Sequence, residues 1–277
     1  MALELWHEWN SVHSYKVRMV LAAKGLAWTS HPVALLRFEH TLPAYLAINP
    51  EGVVPTLLHD GRALYDSSPI CEYLDEVFRE TLLRPVDALG RLHMRRWLKF
   101  HDDVAHAAVR DASFELLYKP VLAAMPRAEL DILVARHPLP ERRRKFIDGA
   151  HPSIDHAKLT TSLLAARAVA ARIDATLHAQ AAPERQGWLL GGAFTLADIA
   201  MAPFAERIAN LGCGFVWDGL PAGAAWSARV LAQASVQQAR PPEKERLPVP
   251  SDVIRAEAKH KLVNDPRYPS PSQPNTN

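Results

Sequence analysis

The sequence predicts a small mixed α/β sheet followed by an all-α region, and three observations carry that prediction. Residues 1–85 hold short Leu-, β-branched- and aromatic-containing segments, separated by turn signals and alternating with helical patterns. From residue 86 onward the strand signals stop and Leu, Ala and Ile recur at helical spacing. At 277 residues, 48% apolar and 22% charged, the chain can bury a core in each of two such units.

ALELW predicts the first strand, and residues 14–24, with Val17, Val20 and Leu21 on one face, predict the first helix. GLAWTSHPVAL predicts a second strand, and a short helix separates it from VPTLLHD. Asp60-Gly61 is a strong hairpin signal, so strands near 55–58 and 62–65 pair antiparallel. Residues 67–78, with Ile70, Leu74, Val77 and Phe78, form the next helix. A strand–helix–strand start implies a parallel pair with a right-handed crossover, to which the hairpin adds antiparallel strands.

Pro85-Val86-Asp87 predicts a linker ending in an N-cap at Asp87, which opens the spacing Leu89, Leu92, Trp97, Phe100. Five prolines break 119–155 into helix segments joined by turns, and the run Glu141–Lys145 is a solvated charged face. Leu163, Ala166, Ala170, Ile173 and Leu177 predict a long helix over about 156–179. After residue 238 the chain turns Pro-rich and polar, ending YPSPSQPNTN, which predicts an extended or disordered tail. The expected division is 1–82, 87–238 and a tail over 239–277.

The formal net charge of +2 divides as 7 basic against 10 acidic residues in 1–85 and 25 against 20 after it, which argues against a nucleic-acid partner. Two cysteines, Cys71 and Cys213, exclude a disulfide scaffold or a CxxC metal site and fit a reducing cytoplasm. MALELWHEWN lacks the apolar core of a signal peptide, and no apolar run approaches the ~20 residues of a membrane span. The expectation is a cytoplasmic protein without metal or membrane partner.

Three stretches carry chemistry. In NPEGVVPTL, Val54-Pro55 opens a strand where a proline gives no N–H to the ladder. A cis bond there would turn the Val54 backbone toward an extended peptide, as in β-augmentation; an ordinary trans proline opening an edge strand is the alternative. In Asp66-Ser67-Ser68-Pro69-Ile70, Asp66 or Ser67 caps a helix with Pro69 in its first turn. Its open amides can hold a carboxylate while Asp66 holds an ammonium, which suits a zwitterionic headgroup; a plain N-cap is the alternative. In WNSVHSYKVR, Ser11 and Ser14 lie three apart at a helix start, where a hydroxyl can donate to a thiolate; capping is again the alternative. His13 could pair with a serine, but the sequence indicates no acid partner for it.

Together these stretches resemble the cytosolic glutathione transferases. SYKVRMVLAAKGL is similar to the family's first helix, and Asp66-Ser67 running into SPICEYLDEVF is similar to its acidic-Ser-x-x-Ile-x-x-Tyr-Leu helix. Thr195-Leu-Ala-Asp198-Ile199, after GWLLGGAF, resembles the capping box and staple of its C-terminal region, with Asp198 at N3 in place of Glu or Gln. The resemblance implies a thioredoxin-like N-terminal domain, a helical-bundle C-terminal domain and a homodimer, with glutathione as cosubstrate and no metal.

Residue by residue, the resemblance implies that Val54 binds the cysteinyl backbone of glutathione beside a cis Pro55, and that Asp66 and Ser67 hold the γ-glutamyl headgroup. It places His40 near the glycyl carboxylate, Ser11 at the catalytic Ser or Cys position, and Ser14 at the serine of the bacterial β-etherase branch. Lacking Cys at position 11, the chain departs from omega-type thiol transfer. HTLPAYLAINPEGVVPTLLHDG, RPVDALGRLHMRRWLKFHDD and LPERRRKF resemble the β-aryl-ether-cleaving branch. The implied activity is a glutathione transferase acting on a hydrophobic small-molecule electrophile, with β-aryl ether cleavage in view. The alternative is a non-catalytic binding or regulatory protein of the same fold. Trp97, His101, Phe114 and Tyr118 are candidate walls of the acceptor pocket, or core.

Overall fold

The computed structural model describes residues 2–136, 143–144, 146–147, 153–180 and 187–268. Strand β1 (Leu3–His7) alternates buried and half-buried positions, sending Leu3, Leu5 and His7 inward. Helix α1 (Val12–Ala23) crosses to β2 (Thr29–Pro32), which pairs parallel with β1. The four-residue α2 (Pro43–Leu46) leads to the hairpin β3 (Thr56–His59) and β4 (Arg62–Leu64), antiparallel across Asp60-Gly61. Gly61 takes φ +77 in that turn, a region open to glycine at little cost. The sheet order β2-β1-β3-β4, with α3 (Ser67–Val77) packed against α1, is the mixed thioredoxin-like arrangement expected.

Asp87 caps α4 (Ala88–Phe100) by accepting from Gly90 N at 2.8 Å. The helix then runs without a break to residue 123, through two single π-helical turns. These are His101–Ala105, before α5 (His106–Ser113), and Phe114–Tyr118, before α6 (Lys119–Ala123). Each π-turn inserts a residue and re-aims the faces that follow, a feature frequent at functional sites. Helices α7 (Arg127–Arg136), α8 (His156–His178), α9 (Leu196–Asn210), α10 (Pro221–Leu231) and α11 (Ala234–Gln238) complete the bundle. Of the Glu141–Lys145 charge run, Glu141, Arg142 and Lys145 lie outside the described residues.

α9 is anchored by Asp198. Its Oδ2 accepts from Thr195 N at 3.1 Å and its Oδ1 from Leu189 N and Trp226 Nε1, each at 2.9 Å. Asp198 and Trp226 are both fully buried, so the predicted capping box also ties a loop and α10 to the start of α9.

The structure differs from expectation beyond residue 238. Residues 252–263 form a helix, α12, capped by Ser251, with Ala258 and Leu262 buried against α8. Ile254, Ala258 and Leu262 recur every four residues, an apolar stripe that the surrounding prolines mask in composition. The segment leading to it is tied to α1 and to the turn before it, with Arg18 Nε donating to Ala239 O at 3.0 Å and Asn10 Nδ2 to Glu245 O at 2.9 Å. Residues 269–277, with most of the terminal YPSPSQPNTN, lie outside the described residues.

Candidate active site

The loop before β3 and the start of α3 meet in one cradle. Tyr45 Oη (2.5 Å) and Asn49 Nδ2 (3.0 Å) both donate to Val53 O and fix the loop, which ends in a cis Val54–Pro55 bond. Val54 is buried, yet its N–H and C=O bond no described residue, so an unpaired strand-like edge faces outward. Asp66 (φ 61) starts α3 without its side chain capping the helix, leaving the amides of the first turn open. Val54, Pro55, Asp66 and Ser67 share one cavity of about 400 Å³ with His13 and Asp102. An extended peptide with an ammonium and a carboxylate at one end fits this donor set, as the resemblance implies for glutathione.

A second cavity of about 420 Å³ shares His13, Val53 and Val54 with the first and adds Ser11, His40 and His106. Ser11 caps α1 by accepting from Ser14 N at 3.2 Å, so its own hydroxyl hydrogen is uncommitted among the described residues. Ser14 departs from expectation. It is fully buried, lines none of these cavities, and accepts from Glu8 N at 3.3 Å. One helical turn past a cap points back into the helix's packed face, so only Ser11 of the pair reaches the cleft.

A third cavity, of about 630 Å³, shares His40 and Tyr118 with the second and is walled by Trp9, Phe38, Phe114 and Phe146. The tail supplies Glu245 and Leu247 to the same wall. Of the four candidate acceptor residues, Phe114 and Tyr118 line this cavity. Trp97 is 6% exposed and packs edge-on to Phe100 in the core, and His101 is 1% exposed and paired to Asp102. The π-turn at 114–118 carries both cavity-facing aromatics.

Under the cradle lies a polar cluster that sequence reasoning did not assemble. Asp102, in the first π-turn, reaches from the helical part to the sheet part. Its Oδ1 accepts from Lys16 Nζ at 2.6 Å and from His101 Nδ1 at 3.0 Å, and its Oδ2 from Ser68 Oγ at 2.7 Å. Burial alone would raise the Asp102 carboxyl, but the His101 and Lys16 hydrogen bonds and the Lys16 charge hold it well below the usual carboxylate range. His13 Nδ1 lies 3.3 Å from Ser67 Oγ and 3.8 Å from Asp102 Oδ1, and His13 Nε2 lies 3.3 Å from His106 Nδ1. Burial, then the Lys16 charge, pushes His13 down to about 2 and His101 to about 3, and burial lowers His106, so all three imidazoles are neutral near pH 7. His13, His101 and Asp102 bring donor atoms within 4.8 Å of one another, but the Lys16 ammonium already occupies this carboxylate. The acid partner that the sequence did not indicate for His13 lies 89 positions away, on the far side of the linker.

Two family models match the chain: glutathione S-transferase N-terminal domain over residues 10–77, and glutathione S-transferase C-terminal domain over 142–234. The chain belongs to the glutathione S-transferase superfamily. Protein LigF of Sphingobium sp. strain SYK-6 is 29% identical over 246 residues, 86% of this chain and 93% of that protein. The crystal structure of that β-etherase superposes with a TM-score of 0.73 at 28% identity, covering 86% of this chain and 98% of LigF. Maleylacetoacetate isomerase of Pseudomonas aeruginosa is 44% identical over 96 residues, 34% of this chain and 45% of the isomerase. As a transferase-family chain it carries the thioredoxin-like sheet and helical region where that family has them, and among the described residues no helix is long and apolar enough to cross a membrane.

Proposed function

We propose that this protein binds glutathione in the Val54–Ser67 cradle, ionises its thiol beside Ser11 and transfers the sulfur to a hydrophobic electrophile, with β-aryl ethers as the acceptor class. The observation that carries the reading is the continuity of the three cavities: an unpaired peptide edge and an open helix start, then a free hydroxyl, then an aromatic-walled chamber. Residues 1–82 hold the cosubstrate, and the acceptor chamber lies between them and residues 87–238, with Phe114, Tyr118 and Phe146 facing Trp9 and Phe38 and the tail adding Glu245 and Leu247. The near-complete coverage of LigF, a β-etherase, supports the ether class. The isomerase likeness covers 34% of this chain and 45% of the isomerase, against 86% and 93% for LigF, so the acceptor class is drawn from LigF.

In this reading the Val54 N–H and C=O pair with the cysteinyl unit of glutathione, Asp66 takes the γ-glutamyl ammonium, and the first-turn amides of α3 with Ser67 take its carboxylate. His40, on the wall shared by the second and third cavities, faces the glycyl end. The sulfur then lies at the start of α1, where the helix dipole and the Ser11 hydroxyl stabilise the thiolate. Attack on the acceptor carbon proceeds by proximity, with no covalent bond to the protein.

Retention on immobilised glutathione, followed by a thiol-conjugation assay with chlorodinitrobenzene, tests the proposal; no binding at millimolar glutathione overturns it. Asp66→Ala is expected to weaken glutathione binding about ten- to a hundred-fold, the worth of one hydrogen bond between charged groups. Calorimetric titration of the variant checks this, and an unchanged affinity removes Asp66 from the site.

We propose further that the protein is a homodimer. Val86, Leu89 and Leu92 expose 86, 63 and 54% of their surface around the start of α4, an apolar strip that a second copy would cover. Sedimentation is expected at twice the chain mass at micromolar concentration, with Leu89→Asp shifting it toward the monomer. Wild type at monomer mass overturns the proposal.

A further inference from the structure

We propose that His106 carries the proton of this reaction, taking it from the glutathione thiol and delivering it to the oxygen that departs from the acceptor, with His13 as its positioning residue. The inference rests on the transferase reading above and assigns a role to a pair of imidazoles which that reading leaves unused.

His106 is the first residue after the π-turn 101–105, and it lines the same cavity as Ser11, Val54 and Tyr118. Its Nδ1 meets His13 Nε2 at 3.3 Å, while its Nε2 bonds no described residue. One of the two facing nitrogens must carry the hydrogen, and the environment of His13 selects which. His13 Nδ1 lies 3.8 Å from the ionised Asp102 Oδ1 and 3.3 Å from Ser67 Oγ. A lone pair at Nδ1 would face that carboxylate, so Nδ1 holds the hydrogen and donates toward Ser67 Oγ. His13 Nε2 is then an acceptor, His106 Nδ1–H donates to it, and the His106 Nε2 lone pair is left facing the cavity. A carboxylate that orients one imidazole, which orients a second, is the arrangement that readies a base whose own nitrogen is free. The Asp102 side chain is fixed in turn by Lys16, His101 and Ser68, all buried.

The step balances without a co-reactant. The S–H bond breaks and its proton moves to His106 Nε2, the sulfur pair forms the C–S bond, the acceptor C–O bond breaks, and the departing oxygen takes the proton from Nε2. Neutral imidazole is restored, with a thioether and a phenol as products. Neutral His106 suits the first half of this cycle, because only an unprotonated Nε2 can accept.

The test compares 2-aryloxyacetophenones whose departing phenols span a range of acidity, with phenol release as the readout. His106→Ala is expected to slow release of the most basic phenoxide about a hundred-fold in kcat, with the glutathione KM unchanged. The loss should shrink for nitrophenoxide, which leaves without a proton, and added imidazole should restore rate. His13→Gln is expected to steepen the same leaving-group dependence without imidazole rescue. His106→Gln, close in size and unable to carry the proton, gives the same comparison if the alanine variant does not fold. A His106 variant that folds and releases every phenol at the wild-type rate overturns the inference alone, as does an equal loss across all leaving groups. Wild type that conjugates chlorodinitrobenzene yet releases no phenol overturns it together with the ether acceptor class, and leaves glutathione binding and thiol transfer standing. Wild type that binds no glutathione overturns both.

Discussion

Asp198→Ala is expected to cost about 3–5 kcal/mol of folding stability, the range for breaking a buried charged network by removing one partner. The carboxylate is fully buried and receives N–H groups from Leu189, Thr195 and Trp226, so its loss strands three donors from three elements at once. Asp198→Asn is expected to cost less, since an amide oxygen can still accept from Leu189 and Trp226 while its NH₂ faces Thr195 N–H. Denaturant melts at pH 7 check both. Burial pushes the Asp198 carboxyl up to about 6, against an unfolded value of ~3.9. Between those values the folded state binds more protons than the unfolded one, so this group's contribution falls as pH rises from about 4 to about 6, by ~3 kcal/mol. The asparagine variant, having no proton to lose, should lack that slope, and an identical pH profile would show that Asp198 does not titrate there.

Much of this architecture is legible in the sequence because it rests on local signals. Asp60-Gly61, the Asp87 cap and the spacing Leu163, Ala166, Ala170 each specify their element within one or two turns of chain. The cradle is different: locally Val54-Pro55 reads equally as a proline opening an edge strand and Asp66-Ser67 as a plain cap, and only the family resemblance joins the two into one site. The unread parts are those where the chain meets itself at long range. Asp102, which holds Lys16 and Ser68, gives no signal of partnership in its own neighbourhood. Trp97 and Phe114 share a helical spacing pattern but part company because a π-turn falls between them, and periodicity at 3.6 residues has no means of registering an inserted residue. The tail misled composition in the same way, for Ile254, Ala258 and Leu262 are few among prolines and charges yet lie on one face.

Ser11→Ala is expected to raise the pKa of protein-bound glutathione by about one to two units, since a hydrogen bond to a charged acceptor is worth ~1.5–3 kcal/mol and one unit is ~1.4 kcal/mol. The geometry gives the reason. Ser14 N donates to Ser11 Oγ at 3.2 Å, which turns the hydroxyl lone pair toward the helix and leaves its hydrogen for a sulfur at the cleft. Glutathione affinity should change little, because Val54, Asp66 and Ser67 hold the peptide by other atoms. Ser14→Ala should leave the thiol pKa unchanged, because that side chain is fully buried beneath the Glu8 amide and outside every cavity of the cleft. Titration by thiolate absorbance distinguishes the two variants. A Ser11→Ala protein that titrates like wild type would move the stabilising role to the amides of the first α1 turn, since both Asn10 Nδ2 hydrogens already go to Glu8 and Glu245. A shift in Ser14→Ala alone would mean that α1 opens when glutathione binds.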